Sequence, residues 1–206
     1  MKIIYHYILN TMADWETGLA IAELNTQRFF TNPKEFEVRT FALTKDPVKT
    51  MGGLTLLPDF EISEVNSGEA ALMILPGAEE WPNSEHEQVL ELARTFLEAE
   101  IPVAGICGAT EAMARQGMLD DVSHTSNGLE ILKMTCPKYK GASLYQDELA
   151  VTDGNLITAG SSSAAAFAYH ILKKLDVMKP DILDHWYGYF EKHSTDEVMK
   201  LVEKLT

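Results

Sequence analysis

The most informative stretch of the chain is IPVAGICGAT, residues 101–110. It begins as a short apolar strand, stops at Cys107, and turns at once into a helix pattern. A cysteine in this place lies at the carboxyl end of a sheet strand, with its sulfur near the partial positive charge of a helix N-terminus. The stretch therefore predicts a reactive thiol, and Cys107 is our candidate nucleophile.

The segments around this stretch alternate between strand and helix patterns. The continuous apolar run at 70–75, broken by Pro76-Gly77, predicts a central parallel strand that is covered on both faces. Further strands are predicted at 2–9, 36–43 and 54–57 and in a hairpin around Asp153-Gly154, and helices at about 15–29, around 89–97, from 107 to 117, at 164–175 and at the C-terminus. This order predicts a parallel α/β sheet with helices on both faces. Sheets of this kind bind ligands at the carboxyl ends of their strands.

Composition limits the class of protein. The 206 residues suit a single domain over 1–206, and a hydrophobic content of 46% excludes wholesale disorder. The net charge is −14 and the basic residues are scattered, so neither nucleic acid nor an anionic membrane is an expected partner. The apolar runs are too short to cross a bilayer, and the N-terminus reads as a strand without a cleavage site, which favours a cytoplasmic location.

The sequence predicts no metal and no cofactor. The two cysteines, Cys107 and Cys136, have no CxxC spacing, so both are expected to be reduced thiols. Acidic pairs such as Glu79-Glu80 read as solvated charges, and no acidic or histidine cluster has metal-ligand spacing. The aromatic segment 185–189 is open to three interpretations: a cover over the pocket, a subunit contact, or a packed tail.

Residues 105–109 form a G-x-C-x-A version of the sharp turn known as a nucleophile elbow. Small neighbours let the backbone pass close to the reactive atom. The backbone N–H groups of Gly108 and of the Gly77-Ala78 turn are candidates to hold a developing oxyanion. The alternative is that Cys107 is simply a small buried hydrophobic residue.

Three motifs resemble those of a known family. MADWE at 12–16 is similar to that family's acidic first turn, LPGA at 75–78 to its L-P-G-G turn, and AGICGA at 104–109 to its A-x-C-x-G/A elbow. In order and spacing they resemble the DJ-1/PfpI branch of the class I glutamine amidotransferase-like superfamily, from Met1 to about Leu175. The resemblance implies a flavodoxin-like three-layer sandwich, with a mostly parallel sheet and helices on both faces, and a homo-oligomer.

The resemblance implies that Glu16 corresponds to the family's carboxylate, which hydrogen-bonds the cysteine sulfur. A buried, protonated carboxyl there would favour ionisation of Cys107; the alternative is an exposed residue of a first helical turn. PfpI-type members place a histidine directly after the cysteine, whereas this chain has Gly108. His124, in the polar loop 123–127, resembles a histidine that other members place near the cysteine, and its alternative role is to order the loop.

Two functions from different classes follow. The first is a cysteine-dependent hydrolase or glyoxalase-like enzyme for small carbonyl or amide substrates, with Cys107, Glu16 and His124 as catalytic residues and Gly77, Ala78 and Gly108 around the oxyanion. The resemblance implies peptidase, deglycase, glyoxalase or amidase activity, with peptidase as the customary label. The second is a non-enzymatic redox or stress-response protein whose Cys107 is reversibly oxidised. A third possibility is a binding module that keeps the pocket without turnover.

Overall fold

The computed structural model describes residues 1–205; the predicted domain's last residue, Thr206, lies outside them. The strands are β1 (Lys2–Tyr7), β2 (Phe36–Ala42), β3 (Val48–Lys49), β4 (Thr55–Leu56), β5 (Phe60–Glu61), β6 (Ala70–Leu75), β7 (Val103–Ile106), β8 (Ala150–Asp153) and β9 (Leu156–Ala159). The α-helices are α1 (Asp14–Thr26), α2 (Glu87–Glu98), α3 (Gly108–Arg115), α4 (Leu129–Thr135), α5 (Ala164–Lys174), α6 (Pro180–Phe190) and α7 (Thr195–Leu205).

Seven of the strands form one sheet in the order β5-β2-β1-β6-β7-β9-β8. Every pairing is parallel except that of β8 with β9, the predicted hairpin, where Gly154 turns the chain with a φ of +54°. β3 and β4 pair separately as an antiparallel ribbon. The predicted mostly parallel α/β sheet is therefore confirmed, with the apolar run at 70–75 as its middle strand.

Helices cover both faces of the sheet because successive strand residues point to opposite sides. Tyr5 and Met73 pack into a core beneath α2 and α3. Ile4 and Ile74, their neighbours along the same strands, pack into a second core beneath α1, α5 and α6. This is the predicted three-layer sandwich. Within residues 1–205, no helix has both the length and the apolar character needed to cross a membrane.

Some predicted boundaries differ from those in the structure. Helix α1 ends at Thr26 rather than near residue 29, because Gln27 adopts a left-handed conformation with a φ of +53°. Helices α4 and α6 were not predicted. In α6, Trp186 is buried and the His185 Nδ1 lies 2.5 Å from the Glu197 Oε2 of α7. The buried Trp186 agrees with the packed-tail interpretation of the aromatic segment, and the subunit contact stays a prediction.

Candidate active site

Three neighbouring strand ends bring the site together. β1, β6 and β7 are adjacent in the sheet, and Leu75 at the end of β6 pairs with Gly105 near the end of β7. The connections that leave these strands carry Glu16, Gly77 and Cys107. Because parallel strands end at the same edge of a sheet, residues far apart in sequence meet there.

Cys107 occupies the turn between β7 and α3 in a conformation that is uncommon for a residue with a side chain. Its φ is +56° and its ψ is −123°, a backbone geometry that is strained for residues other than glycine. Its N–H donates to the Ala159 carbonyl at 3.0 Å, and its own carbonyl accepts the Thr110 hydroxyl at 2.6 Å. These bonds hold the strained turn, which presents the half-buried thiol at the predicted elbow.

Glu16 is fully buried in the first turn of α1. Its Oε2 accepts the Gly77 N–H at 2.7 Å, and its carboxyl group lies beside the Cys107 thiol, since a Cβ on Gly77 would meet both groups. The other carboxyl oxygen has no hydrogen-bond partner within the described chain. Burial raises the pKa of Glu16, because an ionised carboxylate in this place lacks the solvation that it has in water. The alternative of an exposed first-turn residue does not match this position.

The Cys107 thiol and the Glu16 carboxyl lie so close that the charge of one affects the pKa of the other. Burial raises the pKa of Cys107 to about 11, and a negative charge on Glu16 acts in the same direction. Hydrogen bonds from the Asn127 side chain and the Gly108 N–H lower this pKa. The effect of Glu16 on the pKa of Cys107 reverses when its carboxyl carries the proton, since a protonated carboxyl donates a hydrogen bond to a thiolate and stabilises it. A proton on Glu16 therefore lowers the pKa of Cys107, and loss of that proton raises it.

Gly77 and Gly108 let neighbouring groups pack directly against the backbone at the site. A Cβ on Gly77 would lie 2.7 Å from the Cys107 Cβ and 3.0 Å from its Sγ, so no side chain fits. The Gly77 N–H is used by Glu16, which removes it from the predicted set of oxyanion donors. Gly108 packs against Ala78, whose amide nitrogen would lie 3.3 Å from a Cβ on Gly108. Ala78 and Gly108 remain the candidate oxyanion donors.

A cleft of about 550 Å³ opens beside the Cys107 thiol. Trp15 and Trp81 contribute aromatic walls, fixed by indole N–H bonds to the Ser161 carbonyl at 3.2 Å and the Pro76 carbonyl at 2.7 Å. The cleft is also lined by Ala13, Glu16, Met51, Gly77, Ala78, Glu79, Pro82, Gly108, Glu111 and Arg115. Five of the six predicted site residues thus border one space.

The sixth, His124, lies elsewhere, and the prediction that it lines the pocket is not supported. Its side chain is buried, with Nδ1 2.7 Å from the Val122 carbonyl and Nε2 2.5 Å from the Tyr139 hydroxyl. A carbonyl only accepts, so Nδ1 carries the proton and Nε2 accepts from Tyr139. Burial lowers the pKa of His124 and favours this neutral ring. The loop-ordering alternative is the one that this geometry supports.

The residue that sequence reasoning missed is Asn127. Its Nδ2 lies 3.3 Å from the Cys107 Sγ, and its Oδ1 accepts the Ser161 N–H at 2.9 Å. The Oδ1 bond leaves the amide group with its donor end toward the sulfur. Asn127 belongs to the same polar loop as His124, so the loop was correctly singled out but the contacting residue was not.

Replacing Asn127 by aspartate tests this contact. The substitution keeps an oxygen for the Ser161 N–H but puts a negative oxygen where the amide donor was. A hydrogen bond to a charged group is worth about 1.5–3 kcal/mol, so the pKa of Cys107 should rise by about one unit or more. Only the thiolate is alkylated, and iodoacetamide labelling near neutral pH should therefore slow roughly tenfold.

The labelling rates are measured by mass spectrometry across a pH series in a Cys136→Ala background. Asn83→Asp, at an exposed position outside these hydrogen bonds, is the matched control. Asn127→Ala should shift the Cys107 profile in the same direction as Asn127→Asp but by less. An unchanged or lower pKa in Asn127→Asp would show that the amide does not stabilise the thiolate.

A parallel α/β sheet with a cysteine on a strained strand-to-helix turn, paired with a buried glutamate from the first helix, defines a class of cysteine-elbow proteins. The model of the DJ-1/PfpI family matches residues 2–174, and the chain belongs to this family. The matched range agrees with the resemblance predicted from Met1 to about Leu175.

Curated and solved relatives agree with this assignment. The chain is 41% identical to the "Uncharacterized protease YoaZ" of Bacillus subtilis over 185 residues, which cover 89% of this chain and 88% of that protein. A thiJ/pfpI family protein from Bacillus anthracis superimposes with a TM-score of 0.93 at 41% identity, covering 98% of this chain and 96% of that one. The DJ-1 superfamily protein Atu0886 from Agrobacterium tumefaciens has a TM-score of 0.81 at 29% identity, covering 94% and 100%.

Proposed function

We propose that this protein is a cysteine-dependent enzyme that acts on small carbonyl or amide substrates through Cys107. The observation that carries the proposal is the position of the buried Glu16 carboxyl beside the Cys107 thiol, where both line one open cleft. A nucleophile paired with a group that exchanges its proton is the arrangement that covalent catalysis requires. Membership of a family with relatives named as proteases supports amide chemistry in particular.

The chemistry assigns one task to each group. As the sulfur of Cys107 bonds to the carbonyl carbon, the carbonyl π electrons move to the oxygen, and the thiol proton resides on Glu16. The amides of Ala78 and Gly108 donate to the developing oxyanion. In an aldehyde adduct Glu16 then returns the proton to this oxygen. With an amide, Glu16 gives the proton to the amine as the C–N bond breaks, and water then cleaves the thioester, its proton passing through Glu16 back to the Cys107 sulfur.

The dimensions of the cleft favour a small substrate. A volume of about 550 Å³ accommodates a compact molecule. Two indole rings border it, each bonded to a backbone carbonyl, so its walls are partly apolar. Short aldehydes and short amides or peptides are therefore preferred to folded proteins.

The test compares a matched pair of cysteine variants. Wild-type protein should consume methylglyoxal or hydrolyse short amides, and Cys107→Ala should lose this activity by roughly 10³-fold or more, since the nucleophile itself is removed. Cys136, buried with its thiol 3.4 Å from the Glu111 carbonyl, does not border the cleft, and Cys136→Ala should keep the activity. Turnover that survives Cys107→Ala would refute the proposal.

A redox role is the second candidate. It is favoured by one observation: within residues 1–205, no histidine contacts the Cys107 thiol. Oxidation to a sulfenic or sulfinic acid needs no such base, and the donors Asn127 and Gly108 suit its oxygen atoms. Mass spectrometry after mild peroxide treatment should then find Cys107 oxidised before Cys136. The wild-type protein should also lack turnover of methylglyoxal and of short amides. Preferential oxidation of Cys136 would exclude this role.

A further inference from the structure

A second group of polar side chains lies in the connection between β6 and α2, away from the thiol. It consists of Glu80, Glu85 and His86, and its three potential donor atoms lie within 4.8 Å of one another. His86 is buried, with a side chain only 3% exposed, whereas those of Glu80 and Glu85 are 31% and 60% exposed. The group therefore has one fixed member in the interior and two adjustable members that reach solvent.

One nitrogen of His86 is fixed by a tyrosine. Nδ1 lies 2.7 Å from the hydroxyl oxygen of Tyr7, a buried residue at the end of β1. The other nitrogen, Nε2, is buried without a hydrogen-bond partner in the described chain. Either tautomer leaves Nε2 unsatisfied, because it is then a lone pair without a donor or an N–H without an acceptor. A buried polar atom of this kind needs an explanation.

The two carboxylates are directed at this same nitrogen. Nε2 lies 3.7 Å from the Glu85 Oε1 and 4.0 Å from the Glu80 Oε2, too far for hydrogen bonds. Within residues 1–205, neither carboxylate forms an ion pair with a lysine or arginine. Two carboxylates thus face one buried ring nitrogen that has no hydrogen-bond partner within the described chain.

We propose that Glu80, Glu85 and His86 bind a divalent metal ion of the zinc class, through Nε2 and one oxygen from each carboxylate. Imidazole nitrogen and carboxylate oxygen are ordinary zinc ligands, with bonds of about 2.0–2.2 Å. In a tetrahedral site two ligand atoms lie about 3.4 Å apart, and the measured separations from Nε2, 3.7 and 4.0 Å, exceed this distance by only a few tenths of an ångström. The partly exposed carboxylates can close the remaining few tenths of an ångström.

The surroundings of the group also suit a metal ion. Tyr7 occupies the position of an outer hydrogen-bond partner that fixes the ring of a ligating histidine. All three proposed ligands border a cavity of about 240 Å³ that Asn10 and Asp46 also line, which gives a polar route for the ion and for water at its open positions. The net charge of −14 favours cations at the surface. The spacing of positions 80, 85 and 86 matches no metal motif, which explains why the sequence predicted none.

Titration of the chelator-treated full chain with Zn²⁺ tests the proposal by calorimetry. We expect one ion per chain. Loss of an outer partner alone costs about 10–100-fold in metal affinity, so Glu80→Gln with Glu85→Gln should cost at least about 100-fold, and Tyr7→Phe roughly 10-fold. Glu87→Gln with Glu91→Gln removes two exposed charges from the adjacent helix and should change the affinity by less than about threefold.

A second measurement separates this site from the thiol. Cys107→Ser should bind Zn²⁺ as wild type does, and the Co²⁺-loaded protein should lack a thiolate-to-cobalt charge-transfer band. The chemical shift of the His86 Nε2 should move when Zn²⁺ binds to Cys107→Ser, which reports on the ligand without relying on a variant that alters the core. No Zn²⁺ binding, equal affinity after Glu80→Gln with Glu85→Gln, or loss of binding in Cys107→Ser would each overturn the proposal.

Discussion

Gly77→Ala is expected to disable the candidate active site and to destabilise the fold. A Cβ at this position would lie 2.7 Å from the Cys107 Cβ and 3.0 Å from its Sγ, and it would also collide with the Glu16 carboxyl. Overpacking in a tight interior costs about 1–3 kcal/mol of unfolding free energy. A displacement of about 1 Å between reacting groups costs roughly 100-fold in rate. Both losses are measured, by urea denaturation and by turnover of the substrate identified with wild-type protein.

Gly18→Ala is the matched control for this prediction. Gly18 lies inside α1, two residues from Glu16, and a Cβ there would meet no heavy atom within 4 Å. Alanine is favoured over glycine by roughly 0.5–1 kcal/mol within a helix, so this variant should be slightly more stable and fully active. If Gly77→Ala behaved in the same way, the close packing of thiol, carboxyl and turn would not be required for activity.

Glu16→Gln is expected to separate proton transfer from positioning. Glutamine preserves the shape, accepts the Gly77 N–H through its oxygen and offers an N–H to the sulfur, but it does not exchange a proton. General acid–base catalysis contributes about 10²–10⁴-fold, so kcat/KM should fall by that amount. Folding should persist, because the substitution removes a buried group whose ionised form is poorly solvated.

The control for Glu16→Gln is Glu23→Gln. Glu23 is equally buried on the same helix but pairs with Arg28 and does not border the cleft. Its replacement should leave kcat/KM near the wild-type value. Alkylation of Cys107 should still proceed in Glu16→Gln, which verifies that the thiol remains accessible. Activity within about tenfold of wild type would mean that another group carries the proton.

The main features of the fold were predictable because its central strands are short apolar runs that end at strong turn signals. The run at 70–75 ends at Pro76-Gly77, and the strand at 103–106 ends at the elbow, so both the type of element and its position follow from local sequence. Helix α4 was missed because its seven residues are too few to establish a period. Helix α6 was missed because the aromatic segment alone did not decide between packing and exposure.

The candidate site was predictable where backbone geometry determines it and unpredictable where a side chain reaches across space. Cys107 was predicted from a turn at a strand end, which the local sequence marks, whereas Glu16 was predicted from the resemblance of residues 12–16 to the family's acidic first turn. Asn127 reaches the sulfur only because the Ser161 backbone orients its amide group. No spacing in the sequence encodes that contact. His124 resembled the family histidine, but Val122 and Tyr139 occupy its two ring nitrogens.

The adjacency of β1, β6 and β7 has a consequence for how reactivity arises during folding. Glu16 and Gly77 are 61 residues apart along the chain, and their hydrogen bond requires β1 to have paired with β6. Parallel pairings of this kind close long loops and form slowly. The chemical environment of the thiol is therefore acquired late, and in a nascent or partly unfolded chain Cys107 is a solvated cysteine without its neighbours Glu16 and Gly77.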